Sequence, residues 1–181
     1  MNGQPEARPD VLVLGLGNIL LRDEGIGVRA LERLKAEYCL PSRVRAMDGG
    51  TMGLDLLPCL EGVSRLLILD ALQGGGAPGS LARLVDEEVP RALALKLSIH
   101  QVGLEELLAA ARFQGTLPAR LVLLGLEPAS IDWGLELSSP VAAGMDALVD
   151  AAVLELQAWG IVVEPVRPYS SPSKRLWANV S

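Results

Sequence analysis

The chain has 181 residues, 50% of them hydrophobic and 21% charged, enough for one domain that buries roughly 70% of the surface its unfolded chain would expose. A formal net charge of −6 opposes attraction to nucleic acid or anionic lipid, and three Trp, two Tyr and one Phe supply little for stacking on bases. The first ten residues carry no apolar leader and no apolar run has the length of a membrane span, so a cytoplasmic protein with no nucleic-acid or membrane partner is expected.

Short apolar runs alternate with amphipathic ones, the signature of βαβ units around a mostly parallel sheet. The first strand is expected over Val11 to Gly15, where the unbroken apolar run Val11 to Leu14 reads as buried on both faces. A helix follows from about Glu24 to Tyr38, with Val28, Leu31, Leu34 and Tyr38 on one stripe and Pro41 beyond its end. A second strand is expected over Arg43 to Asp48, a short helix over Met52 to Leu60, and a third strand over Arg65 to Asp70. Beyond the loop Gly74 to Gly79, Ser80 to Val85 reads as a short edge strand. A helix over Val102 to Phe113 buries Leu104, Leu107, Leu108 and Ala111, and a strand over Arg120 to Gly125 precedes the last helix. That helix has the clearest limits: Ser139 as cap, Pro140 in its first turn, a stripe from Val141 to Trp159, and Gly160 after it. The expected architecture is a three-layer αβα sandwich with a twisted, mostly parallel sheet of about five strands. Residues 1–10 are expected as a flexible N-terminus, 11–164 as the single α/β domain and 165–181 as a loose tail holding the basic residues Arg167, Lys174 and Arg175.

The ends of the strands carry the chemistry. Gly15-x-Gly17 after a strand suggests a dinucleotide fold, but the position that should bring a third glycine or alanine is Leu20. The glycine-rich loop at Gly74 lacks the Lys-Ser/Thr of a phosphate loop and reads as a connection. Asp23 and Glu24 precede a helix, where acids ordinarily satisfy free N–H groups and favour the dipole by about 0.3 to 1 kcal/mol. Asp48-Gly-Gly-Thr51 has the composition of a turn, whereas Asp70 follows the apolar run Leu66 to Leu69 and there requires solvent, a partner or a cation. His100 is the only histidine, which excludes zinc sites built on two or three imidazoles. No Gly-x-Ser-x-Gly elbow is present, and Cys39 and Cys59, outside any paired metal or redox spacing, read as reduced thiols in or beside helices. Carboxylates and one imidazole are the groups left for chemistry. Two carboxylates about 5 Å apart repel by roughly 3 kcal/mol at an effective dielectric near 20, a penalty that a bound dication reverses. Mixed oxygen and nitrogen donors suit zinc, nickel or manganese alike.

Together, Gly15-Leu-Gly-Asn18-Ile-Leu-Leu-Arg-Asp23-Glu24-Gly-Ile-Gly27-Val, Asp48-Gly-Gly-Thr51, Leu69-Asp70-Ala71 and His100-Gln-Val-Gly103-Leu resemble the nickel–iron hydrogenase maturation endopeptidases, peptidase family M52. Glu87-Glu88-Val89-Pro90 and Leu124-Gly-Leu-Glu127-Pro128 also look like segments of that family, with no chemistry assigned to them. The resemblance spans about Val11 to Trp159 and implies an endopeptidase that removes the C-terminal extension of a hydrogenase large-subunit precursor after nickel insertion. It further implies that Glu24, Asp70 and His100 contact nickel supplied by the substrate, with another divalent cation able to occupy the site in the free protein. Asp48 matches an acid proposed to assist recognition or cleavage, and a monomer is expected. His100 must be neutral to ligate, so acidification is expected to weaken recognition. Two other readings stay open at this point: a noncatalytic maturation chaperone of the same subunit, and a nucleotide-dependent α/β enzyme.

Overall fold

The computed structural model describes residues 9–93 and 99–166, the side chains of residues 99–102 excepted. In chain order, strand β1 (Val11–Leu16) leads through a 3-10 turn (Arg22–Gly25) into helix α1 (Ile26–Glu37), then β2 (Tyr38–Cys39) and β3 (Val44–Gly50). A 3-10 helix (Gly53–Leu60) precedes β4 (Arg65–Ala71) and β5 (Leu81–Val85), followed by α2 (Glu88–Leu93), α3 (Ile99–Gln114), β6 (Arg120–Leu126), α4 (Ser139–Ala158) and β7 (Glu164–Pro165).

Five strands form one sheet in the order β3-β1-β4-β6-β5, with β5 antiparallel at its edge and the other pairings parallel. The register matches Gly15 with Asp48 on one side and with Leu69 on the other. Side chains alternate across this sheet, so two cores result. Val11, Val13, Leu67 and Leu69 pack with α1 and α4 residues such as Leu31 and Leu148. Leu12, Leu14, Leu66 and Ile68 pack on the other face with Leu56, Leu104 and Leu107. Because both faces are covered, Val11 to Leu14 and Leu66 to Leu69 are fully buried, each side chain contributing roughly 1.5 to 3 kcal/mol.

Local chemistry moved several boundaries. The segment after β3 is a 3-10 helix, with Pro58 inside it breaking the run of backbone donors. The last helix is capped one residue earlier than expected, by Ser138, whose hydroxyl turns to Asp23 instead of the helix's own N–H groups. The helix α2 and the short pair β2–β7 were not expected; Tyr38 pairs with Pro165, and the Val166 N–H donates to the Glu37 carbonyl at 2.7 Å. Cys39 and Cys59 are free thiols, the first exposed on β2 and the second in the 3-10 helix. The expectations for residues 1–8, for 167–181 and for the imidazole of His100 lie outside the described residues. Among the described residues no helix is long and apolar enough to cross a membrane.

Candidate active site

The C-terminal edge of the sheet collects the acids singled out from the sequence, as open α/β sheets place their sites. Glycines fix the backbone there. Gly17 has φ +114°, and a Cβ on it would overlap the carbonyl oxygen of Glu24; its N–H donates to the Gly50 carbonyl at 2.9 Å. A Cβ on Gly27 would overlap the carbonyl oxygens of Leu69 and Leu16. The first turn of α1 is therefore seated on the ends of β1 and β4, which holds the turn bearing Glu24 beside the strand end that carries Asp70.

Asp70 is fully buried, with its Oδ1 accepting the Ala71 N–H at 2.7 Å. By alternation it shares a sheet face with Leu66 and Ile68, the face that α3 covers. The first turns of α3 come to this same edge, because Gly103 docks on Gly53: a Cβ built on either would lie 3.1 to 3.2 Å from the other's Cα. His100 belongs to that end of α3, one turn before Gly103. Glu24 is half-buried in its turn. Among the described residues no three His, Cys, Asp or Glu side chains gather as a metal cluster, and the His100 imidazole is not among them.

Asp48 occupies a different setting. It is exposed, accepts the Gly50 N–H at 2.8 Å in a side-chain-stabilised turn, and lies on the α1 face together with Gly15. With Gly17, Asn18, Ile19, Val28 and Thr51 it lines an open groove of about 230 Å³ across the ends of β1 and β3. The structure therefore brings Glu24, Asp70, Asp48 and the backbone turn of His100 to the C-terminal edge of one sheet, with Asp70 facing the α3 layer and Asp48 and the Glu24 turn on the α1 side.

Asp23 does not cap α1, contrary to the plainest reading of an acid before a helix. It is fully buried and reaches across to the β6–α4 connection, accepting the N–H groups of Ala129 and Ser130 at 2.9 Å, the N–H of Ser138 at 2.7 Å and the Ser138 hydroxyl at 2.7 Å. Burial pushes its carboxyl up, but the hydrogen bonds from Ser138, Ser130 and Ala129 outweigh this and hold it below the ordinary 3.8. Two further links, Arg22 N–H to the Gly134 carbonyl and Gly134 N–H to the Leu20 carbonyl, both 2.9 Å, lace the same two loops together. Glu127 plays a similar part nearby, its Oε2 accepting the N–H groups of Gly74 at 2.6 Å and Gly76 at 3.1 Å. Neither role has a signal in the sequence, since the partners lie far away along the chain.

The sequence profile of the hydrogenase maturation proteases (HycI) matches residues 28–155. The chain belongs to that family. HupD of Rhodobacter capsulatus, a hydrogenase expression/formation protein, is 44% identical over 162 residues, covering 88% of this chain and 77% of that one. The hydrogenase 2 maturation protease of Escherichia coli is 41% identical over 156 residues, covering 86% of this chain and 95% of its own. Among solved structures, the hydrogenase maturating endopeptidase HybD from E. coli superposes with a TM-score of 0.83 at 41% identity, over 88% of this chain and 98% of that one. A [NiFe] hydrogenase maturation protease HybD from Thermococcus kodakarensis matches with a TM-score of 0.68 at 29% identity, over 82% and 99%. This maturation protease is accordingly an endopeptidase, a hydrolase of peptide bonds, which decides against the chaperone and nucleotide-dependent readings.

Proposed function

We propose that the enzyme removes the C-terminal extension of a nickel–iron hydrogenase large-subunit precursor in the cytoplasm, and does so only after nickel has entered that precursor. The observation that supports this reading is the placement, at the C-terminal edge of the one sheet, of the Glu24 turn, the buried carboxylate of Asp70 and the first turn of α3 with His100. Two oxygen donors and one imidazole are a set that nickel accepts. Nickel held by the substrate relieves the repulsion between the two carboxylates and so converts metal content into docking energy; a nickel-free precursor leaves that repulsion in place. Asp48, in its groove beside β1, then meets the peptide segment rather than the ion, and assists its recognition or cleavage. A protein of this chain acting alone, as a monomer, suffices for such a reaction.

The test incubates purified protein at substoichiometric amounts with nickel-loaded and nickel-free precursor and follows the released C-terminal peptide by mass spectrometry. Many turnovers on the loaded form and none on the empty form are expected. Equal cleavage of both would reject nickel readout.

A further inference from the structure

Beside the Glu24 turn the protein displays an apolar surface that the fold does not bury. Ile19 and Leu20, in the β1–α1 loop, and Ile131, Trp133 and Leu135, in the β6–α4 connection, are all exposed, Trp133 by 78% and Leu135 by 62%. They are not scattered. The Gly134 N–H donates to the Leu20 carbonyl at 2.9 Å, which puts the residues on either side of Gly134 next to the tip of the first loop. Exposed polar residues, Asp132 and Glu136, alternate with the apolar ones and supply the wet margin that protein–protein contacts carry. In a chain with three tryptophans, one this exposed at the lip of the candidate site is a feature a monomer has no reason to keep for stability.

Resting on the function proposed above, we infer that this surface is where the folded body of the large-subunit precursor docks, with Trp133 as its anchor. Two arguments commit it to that occupant. The surface is continuous with the candidate site: Glu24 lies only a few residues beyond Leu20, and the buried carboxylate of Asp23 binds the Trp133 loop to the same turn. A nickel ion held in a folded precursor and brought to Glu24 carries precursor surface up to these adjoining loops. The second argument is electrostatic. Two arginines border the surface, but both are half-buried and turned to its backbone, Arg22 packing on Gly134 and Arg29 donating to the Leu135 carbonyl, while the exposed side chains are apolar with the acids Asp132 and Glu136 between them, so the matching face is apolar rather than anionic or phosphate-bearing.

Steady-state processing of nickel-loaded precursor by wild type, Trp133→Ser, the pair Trp133→Ser/Leu135→Ser, and Phe113→Ser tests the inference. Phe113 is 93% exposed near the end of α3 remote from the site and serves as the control. The Trp133 variant should raise KM at least about tenfold with kcat within twofold, the double variant more, and the control should match wild type. Thermal melts should coincide, since the substituted side chains are exposed. Calorimetry of precursor binding reads docking without turnover and should weaken in parallel. A double variant with KM and affinity within twofold of wild type overturns the inference, as does a fall in kcat at constant KM. Failure of wild type to distinguish loaded from empty precursor would instead sink the proposed nickel readout, leaving the calorimetric comparison to judge the docking surface.

Discussion

Asp23→Ala isolates the buried clamp between the two loops. The substitution removes the acceptor for three backbone N–H groups and one hydroxyl at 2.7 to 2.9 Å in a fully buried setting. Each unsatisfied buried donor costs about 1 to 3 kcal/mol, and the three backbone groups together would reach several times that if nothing moved. The connection lies near the surface, so it can part and admit water, which brings the net loss to roughly 3 to 5 kcal/mol. For a chain of this size each kcal/mol lowers Tm by about 2 to 4 °C, giving a drop of roughly 6 to 20 °C. Urea unfolding followed by circular dichroism measures the loss directly. The sign with pH follows from the depressed carboxyl: its contribution is fully present above the unfolded value near 3.9 and is lost as pH falls through the lower folded value. Asp23→Asn should therefore flatten the acid limb of stability below about pH 4 while costing less than Ala at neutral pH. A loss under about 1 kcal/mol for Asp23→Ala would show that water replaces the carboxylate without penalty and would refute the reasoning.

The site residues yield a sharper, activity-based expectation. Glu24→Gln, Asp70→Asn and His100→Ala should each reduce precursor processing at least about a hundredfold while the far-UV spectrum is kept; full activity in any one removes that residue from the proposed set. Gly27→Ala pushes a methyl into the carbonyls of Leu69 and Leu16, so it should cost about 1 to 3 kcal/mol in urea unfolding and also disturb processing, because the Glu24 turn shifts with it. Asp10→Asn breaks an ion pair with Arg43 at 2.7 Å between partly exposed groups, and should cost no more than about 1 kcal/mol at pH 7. Hydrogen bonding from Arg43 holds the Asp10 carboxyl below its ordinary value, so that small contribution should vanish as pH drops below about 4.

What the sequence made legible follows the range of the forces involved. The strands at Val11, Arg65 and Arg120 could be read because a run buried on both faces is apolar at every position, and α4 because its stripe and terminal residues are local signals. Asp70 stood out as a carboxylate at the end of such a run. Asp23 and Glu24 could not be told apart, since the hydrogen bonds that commit Asp23 to the loop reach partners 106 to 115 positions away. A comparable separation in sequence hid the pairing of β2 with β7, each two residues long. The family resemblance, carried by ordered fragments, supplied the activity; periodicity alone reached only an α/β sheet with acids at its edge.

The split of the core by the sheet bears on which substitutions act independently of one another. Asp70 faces the α3 layer and Asp48 the α1 layer, so the side chains that support each belong to separately packed sets. Substitutions in sets that share no neighbours tend to add without coupling. Substitutions around the proposed peptide groove at Asp48 should therefore leave the packing beneath Asp70 unchanged, whereas substitutions in α1 itself also reach the Glu24 turn that leads into it.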